Sequence, residues 1–324
     1  MGAVTPPVVI ALDVGGTTLR AGLVTAEGRL LHSVTRSSVR NGRRDPGLAG
    51  TVTAAREMIA AAAERGVTVA GIGAGFPEYV DAAGRLTSHE VLDWAVQPLE
   101  LLGPLVPGRP AVVESDVRCA ALAEARSGGG QGRGSFLYVS LGTGLSAVLI
   151  QGGRLWHGNR GEAIALGSFE VPASVDPGFS AGGNGGRPPN LEEYAAGAGI
   201  AARYTKVTGV EVTEARDVVR RAEAGDGTAT ELLSAAGRAL GTSLAWTVAL
   251  LDPEAVVLGG GLGTSSPRMD GVLHDALRKS YTARCARPGP PPVHPAGLGA
   301  ASGLLGAAAA AWHESLEPQA VDRT

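Results

Sequence analysis

Val8-Val9-Ile10-Ala11-Leu12-Asp13-Val14-Gly15-Gly16-Thr17-Thr18-Leu19-Arg20-Ala21-Gly22-Leu23-Val24 is the stretch whose reading decides the fold. It reads as a β-hairpin. Residues 8–12 form a short apolar, β-branched run suited to a buried strand. Gly15-Gly16 breaks the run and residues 19–24 resume it. Glycines let a backbone approach a phosphate closely, because no Cβ is in the way and positive φ costs little. Turn N–H groups and the Thr17 and Thr18 hydroxyls can then donate to phosphate oxygens. Asp13, at the strand end, suits Mg²⁺ held through water. A Gly-Gly pair alone is as well explained by an ordinary tight hairpin. An acidic residue followed by Gly-Gly-Thr-Thr, straight after a buried strand, tips the reading toward phosphate.

The chain has 324 residues, enough for one large domain or two ordinary ones. Hydrophobic residues make up 44% and charged ones 18%, so a real core is available and disorder is excluded as a general description. A formal net charge of -3 provides no basic field for nucleic acid or an anionic membrane, and neither is expected as a partner. Cys119 and Cys285 lack a metal-type spacing, and a reducing compartment fits them better than a disulfide. The N-terminus lacks a charged region leading into an apolar core, and the Ala-rich run 304–312 is too short to span a bilayer. A cytoplasmic protein is expected.

Further along, residues 29–36 read as a third strand, 41–47 as a polar loop, and 48–65 as an Ala-rich helix stopped by Gly66. Residues 67–74 and 111–114 read as strands, and 116–127 as a helix. After Gly128-Gly129-Gly130, the segments 135–141, 145–151 and 154–156 repeat the opening pattern of strand, Gly/Thr turn, strand, turn, strand. The chain therefore reads as two similar α/β halves, each starting with a phosphate-type hairpin, facing each other across a cleft. Residues 172–189 read as loop; 191–206, 214–224, 228–251, 267–280 and 299–312 as helices; 255–258 as a strand; 291–294 as an edge strand; and 314–324 as a frayed tail.

Gly142-Thr143-Gly144 is the second phosphate candidate, weak alone but stronger opposite the first, since a triphosphate needs donors from both sides. Gly259-Gly260-Gly261 follows a strand, which suits a nucleotide's sugar, base or α-phosphate against bare backbone, or equally a turn that needs positive φ. Asp116 sits after a strand at the head of a helix. An N-cap is the ordinary role for such a residue. Its place at the junction of the two halves favours a general base that takes the proton of an attacking hydroxyl.

With Asp13-Val14-Gly15-Gly16-Thr17, Glu114-Ser115-Asp116-Val117, Leu141-Gly142-Thr143-Gly144 and Leu251-Asp252-Pro253-Glu254 before Leu258-Gly259-Gly260-Gly261 in order, the chain resembles the ROK family over residues 8–312. That family groups bacterial sugar kinases with sugar-responsive repressors. The resemblance implies the two-domain hexokinase/actin-like (ribonuclease H-like) α/β fold with an interdomain cleft. Residues 1–116 plus 299–324 would form the small domain, with a returning C-terminal helix, and 117–298 the large one. It also implies ATP with Mg²⁺, Asp116 as base for a sugar hydroxyl, and dimers or tetramers, a homodimer being expected.

The acceptor side departs from the family. Ser115 stands where the family has Asn. Where the family has Glu-x-Gly-His, an anchor on Gly167 and Val171 puts Ala165 at the Glu and Ser168 at the His, with Glu162 three residues out of register. The family's zinc cluster would fall in 179–190. No cysteine lies there and no histidine lies between His157 and His274, so ligand chemistry excludes a zinc site. Glu192 matches the family and is a candidate for a ligand hydroxyl, or else a solvated first-turn glutamate. Glu78 replaces the Gly of Pro-Gly-x-Val-Asp. Glu90, with His89 or Asp93 as substitutes, falls where the family contacts the sugar; for each, an exposed loop residue is the plainer reading. Ser115, Glu192, Glu90, Glu78, Ser168 and Glu162 are thus the candidate acceptor contacts. Unpaired sugar hydroxyls in a closed site cost on the order of 1–3 kcal/mol each. The expectation is therefore a kinase for an atypical polyol: a cyclitol or carbasugar, C7-cyclitols being favoured, or an amino- or deoxysugar. A glucokinase and a non-catalytic sugar sensor are the alternatives. The repressors' N-terminal DNA-binding module is not expected, since the first strand begins near Val8.

Overall fold

A computed structural model of the chain describes residues 6–40, 42–171, 173–180, 189–266 and 268–316. The chain splits into two compact units, one of Met1–Ser127, His157–Ala163 and Ala300–Thr324, the other of Gly128–Trp156 and Ile164–Gly299.

In the first unit the strands are β1 Val8–Val14, β2 Thr18–Thr25, β3 Leu30–Ser37, the short hairpin β4 Val39–Arg40 and β5 Arg43–Arg44, then β6 Val69–Phe76 and β7 Ala111–Ser115. Its helices are α1 Ala49–Glu64, α2 Pro98–Leu102 and α3 Asp116–Ser127. The main sheet has the order β3-β2-β1-β6-β7, with β1, β6 and β7 parallel and β2 and β3 antiparallel. Nearly every residue of β1 is buried because the two-residue period of a strand feeds two covered faces. Val8, Ile10 and Leu12 share a core with Ala54, Ala55 and Met58 of α1. Val9 and Ala11 share another with Cys119, Ala307, Ala308 and Ala311.

The second unit repeats the plan. Its strands are β8 Ser135–Leu141, β9 Leu145–Gln151, β10 Arg154–Leu155, β11 Val256–Gly259 and β12 Val293–Pro295, in the order β10-β9-β8-β11-β12. Taken as first to fifth in each unit, both sheets run third, second, first, fourth, fifth. The helices are α4 Pro177–Ser180, α5 Leu191–Ala195, α6 Gly197–Thr208, α7 Ala215–Glu223, α8 Gly227–Leu251 and α9 Val272–Arg284, and α10 Ser302–Leu316 returns to the first unit. On α8, Gly237 and Gly241 lie against the backbone of α9, where a Cβ would meet the carbonyls of Leu273 and Leu277.

Several elements differ from the sequence reading. The segment 41–47 carries the β4–β5 hairpin and is not plain loop. The helix expected over 191–206 is two helices, broken at Ala196, whose ψ of 166 is extended; the break lets Gly197 reach the Gly142 carbonyl. The helix expected from 267 starts at Val272, because 261–266 turn back onto Leu141 and His274 ties down Gly263. The last helix runs on to Leu316. The boundary at 116/117 also moves. Helix α3 belongs to the first unit, where Gly306 packs against the Cys119 carbonyl and Arg118 holds segment 157–163. Most of the stretch 179–190 where the family carries zinc, and the tail beyond 316, lie outside the described residues. No helix among the described residues is long and apolar enough to cross a membrane.

Candidate active site

In the first unit, β1 delivers Asp13 to its C-terminal end and the hairpin turn follows. The Gly15 N–H donates to the Thr18 carbonyl at 2.9 Å and the Ser38 N–H to the Thr17 carbonyl at 3.0 Å, which closes the turn. Neither Gly15 nor Gly16 has positive φ. What Gly16 needs is room: a Cβ there would lie 2.7 Å from Val91 Cγ1 and 3.8 Å from Arg44 Nε. Asp13 Oδ2 accepts from Arg20 at 3.1 Å, and a Cβ on Gly303, in the first turn of α10, would lie 2.6 Å from its Oδ1. Burial raises the Asp13 pKa and Arg20 opposes the rise.

Asp116 opens α3 directly after β7 and keeps partial exposure. Its Oδ1 accepts the Val117 N–H at 2.6 Å. Desolvation pushes its pKa from 3.8 up to about 7, and the negative charges of Asp13 and Glu78 add to the rise. Ser115 beside it is fully buried, and its hydroxyl accepts the Arg118 N–H at 3.4 Å.

Below this pair lies a charged cluster that the sequence reading missed. Arg118 is completely buried and donates to Glu114 Oε1 at 2.8 Å, to the Val80 carbonyl at 2.9 Å and to the Gly161 carbonyl at 2.5 Å. His157 Nε2 lies 2.7 Å from Glu114 Oε2. Burial acts to raise the Glu114 pKa, but His157 and Arg118 together hold it below its ordinary value. The i,i+4 spacing of Glu114 and Arg118 across the strand–helix junction was the available signal. Nothing in the spacing pointed to His157.

Glu78 was expected to face an acceptor. Its oxygens instead receive the Ser88 hydroxyl and the N–H groups of Glu90, Val91 and Leu92. Glu90 is exposed, as is His89, which stacks on Trp94 with ring centroids 4.2 Å apart. Asp93 accepts the Arg44 N–H and pairs with Arg43. Glu162 is exposed and pairs with Arg160 at 2.6 Å.

In the second unit, the β8–β9 turn is braced by backbone. Gly142 donates to the Gly144 carbonyl, and the first N–H groups of α6, from Gly197 and Ala198, donate to the carbonyls of Gly142 and Thr143 at 2.8 and 3.1 Å. Thr143 and Gly144 stay exposed at the tip. Glu192 is exposed, but its Oε2 accepts the Leu145 N–H at 2.7 Å. Its carboxylate thus secures the turn, and only part of its capacity remains for a ligand. Gly260, at φ +80, turns the chain so that Leu262 and Gly263 both donate to the Leu141 carbonyl at 3.0 and 2.9 Å. The two glycine segments 142–144 and 259–261 are thereby brought together, with Gly261 N 3.9 Å from the position of a Cβ on Gly142. Ser168 is exposed, and Ala165 offers no polar side chain where the family has Glu.

A repeated five-stranded α/β plan, with a Gly/Thr turn after the first strand of each sheet, is the architecture of a phosphoryl-transfer protein of the hexokinase/actin kind. The ROK family profile matches residues 9–314, and the chain belongs to that family. It is 32% identical to a glucokinase of Streptomyces coelicolor, over 92% of this chain and 96% of the relative. It is 28% identical to a kanosamine kinase of Amycolatopsis mediterranei, over 94% and 96%. A crystal structure of a ROK family glucokinase from Streptomyces griseus, in complex with glucose and AMPPNP, superposes with a TM-score of 0.73 at 30% identity, covering 93% of this chain and 98% of that one. The chain is an ATP-dependent sugar kinase of this family.

Proposed function

We propose that the protein transfers the γ-phosphate of ATP to a hydroxyl of a sugar-like polyol other than plain glucose, with Asp116 as general base. The observation that carries this reading is Asp116 itself, at the head of α3 with a pKa of about 7. A base tuned near the working pH is both ionised in a useful fraction and able to hold the proton it takes. The turns at 15–18 and 142–144, with 259–261, are the phosphate and nucleotide contacts in this reading. The Thr17, Thr18 and Thr143 hydroxyls at these turns suit phosphate oxygens.

Mg²⁺ fits Asp13. A hard cation takes carboxylate oxygens and water, and Asp13 presents its carboxylate at the C-terminal end of β1, beside the Gly15-Gly16 turn. When bound, the ion would supply charge neutralisation at the phosphates. A buried carboxylate whose pKa is raised by desolvation gains from a neighbouring cation.

The residues at family acceptor positions support a changed substrate. Ser115 is fully buried and accepts the Arg118 N–H, Ser168 is exposed, Ala165 lacks a polar group, and Glu78 accepts four donors from its own loop. A C7-cyclitol or carbasugar is the favoured acceptor class. An aminosugar is next, in keeping with the likeness to a kanosamine kinase. Glucose is the alternative, favoured by the 32% identity to a glucokinase. ADP release from ATP and Mg²⁺ across hexoses, aminosugars, inositols and C7-cyclitols tests the reading. Turnover on a cyclitol or aminosugar above glucose is expected, and the highest kcat/KM on glucose would overturn it.

A further inference from the structure

Arg44 ends β5, and backbone bonds moor it on both sides. The Arg44 N–H donates to Asp93 Oδ2 at 3.1 Å, and the Asp93 N–H donates to the Arg44 carbonyl at 3.1 Å. The next residue, Asp45, is 3% exposed, and its N–H donates to the Ser38 carbonyl at 2.7 Å. Ser38 in turn donates its N–H to the Thr17 carbonyl at 3.0 Å, so the backbone around Arg44 is linked to the first phosphate-type turn. Asp45 has a φ of 44, in the left-handed region that a non-glycine residue adopts only when its surroundings hold it there. Its carboxylate does so by accepting the Gly50 N–H at 2.6 Å, the Thr51 N–H at 3.1 Å and the Thr51 hydroxyl, in the first turn of α1.

The exposed Arg44 side chain lies across the turn. Its Cδ and Nε are 3.7 and 3.8 Å from where a Cβ on Gly16 would stand. The carboxylate of Asp93 pairs with Arg43, at 3.5 Å, and Arg20 beside the turn is paired with Asp13 at 3.1 Å. Among the described residues the Arg44 guanidinium forms no ion pair and no hydrogen bond. An exposed arginine is stable in water without a partner; what calls for an account is the strained, buried support that brings this one onto a Gly-Gly turn. A guanidinium offers five N–H donors in a planar fork that matches phosphate oxygens. Of the two Gly/Thr turns, this one shares its unit with Asp116, so the phosphate it meets is the one that moves to the acceptor.

We propose that Arg44 is a phosphate-binding residue of the transfer reaction: its guanidinium, held over Gly16, donates to the γ-phosphate oxygens of ATP. This rests on the reading of the turn as a phosphate contact and of Asp116 as base. In the transfer the acceptor oxygen bonds the γ-phosphorus, the bridge to the β-phosphate breaks, Asp116 takes the hydroxyl proton, and ADP leaves with the electron pair. Arg44 forms no covalent bond; it neutralises charge on the oxygens of the moving group.

The test measures binding of AMPPNP and of ADP, each with Mg²⁺, to the wild type and to Arg44→Ala by calorimetry, alongside steady-state kinetics on the best acceptor of the panel above and a thermal melt. Arg44→Ala is expected to keep the wild-type melt and to bind AMPPNP roughly 10–100-fold more weakly, the scale of one lost charge-assisted hydrogen bond, with ADP affinity and acceptor KM near wild type. The kcat/KM for ATP falls with the AMPPNP affinity. Arg44→Lys, which keeps the charge without the fork, recovers part of the loss, and so does methylguanidinium added to Arg44→Ala. Wild-type AMPPNP affinity in Arg44→Ala would overturn the proposal, as would an equal loss for ADP and AMPPNP or a loss confined to acceptor KM. If Arg44→Ala does not fold, Arg44→Gln, which keeps most of the stem, is read by the same criteria. A wild type that binds neither nucleotide would sink the kinase reading and this proposal with it, whereas a wild type that binds both, beside an unaffected Arg44→Ala, removes only the role of Arg44.

Discussion

The two Gly/Thr turns look alike in sequence and are braced by different neighbours. The turn at 15–18 is closed by its own backbone bonds and flanked by side chains, Val91 against Gly16 and Arg20 on Asp13, and it shares its unit with a carboxylate whose pKa is pushed to about 7. The turn at 142–144 carries a helix N-terminus, with the first two N–H groups of α6 on its carbonyls, and the Glu192 carboxylate on the Leu145 N–H. Within a duplicated plan, one copy has gathered titratable groups around its turn and the other has docked a helix N-terminus on its turn. The first is suited to chemistry and the second to holding a ligand.

The largest effect should come from the titratable side. Asp116→Asn is expected to lower kcat by about 10²–10⁴-fold, the usual range for a general base, with binding of a non-hydrolysable ATP analogue retained. Near wild-type turnover would break the contrast between the turns. Next is the cluster under Asp116. Glu114→Gln leaves the fully buried Arg118 short of its counter-charge, and a loss of about 3–5 kcal/mol in a denaturant melt is expected.

The bracing itself can be compared by glycine substitution. Gly197→Ala puts a Cβ 2.7 Å from the Gly142 carbonyl, backbone that cannot step aside, and should cost about 1–3 kcal/mol with weaker nucleotide binding. Gly16→Ala meets the Val91 side chain at the same distance, so its cost should be relieved when Val91→Ala is added. No such rescue exists for Gly197→Ala. Equal rescue in both would mean that the turns are braced alike.

The remaining effect is a stability difference with a defined sign. Because the folded Asp116 pKa is raised, its protonated form favours the native state, and that contribution is complete below about pH 4 and lost as pH passes 7. Asp116→Asn should therefore have a higher Tm than wild type at pH 8, with the gap closing toward pH 4. A lower Tm at pH 8 would mean that the ionised carboxylate is stabilised in the fold.

Much of the fold was legible because its cues are local. Residues 8–24 and 135–151 each give an apolar run, a Gly/Thr break and a second run, and both hairpins form in the register those runs dictate. The matching strand order in the two sheets follows from that repeat. What was not legible depends on distant partners. The break at Ala196 exists because α6 docks its N-terminus on a turn some fifty residues earlier, and no propensity marks it. The commitment of Glu78 to 88–92 and the pairing of His157 with Glu114 likewise join segments that the sequence leaves apart. Glu78 stands out in the sequence as a departure from Pro-Gly-x-Val-Asp, but its position could not say whether the carboxylate faced a ligand or its own loop.

If the two Gly/Thr turns serve an acceptor side that departs from a glucokinase's, kcat/KM for glucose, an aminosugar such as kanosamine and a C7-cyclitol, measured side by side with saturating ATP and Mg²⁺, will show it. The account expects the cyclitol or the aminosugar to exceed glucose. Glucose at the top of the series would contradict it and return Glu90, Glu162 and Glu192 to the role of ordinary hexose contacts.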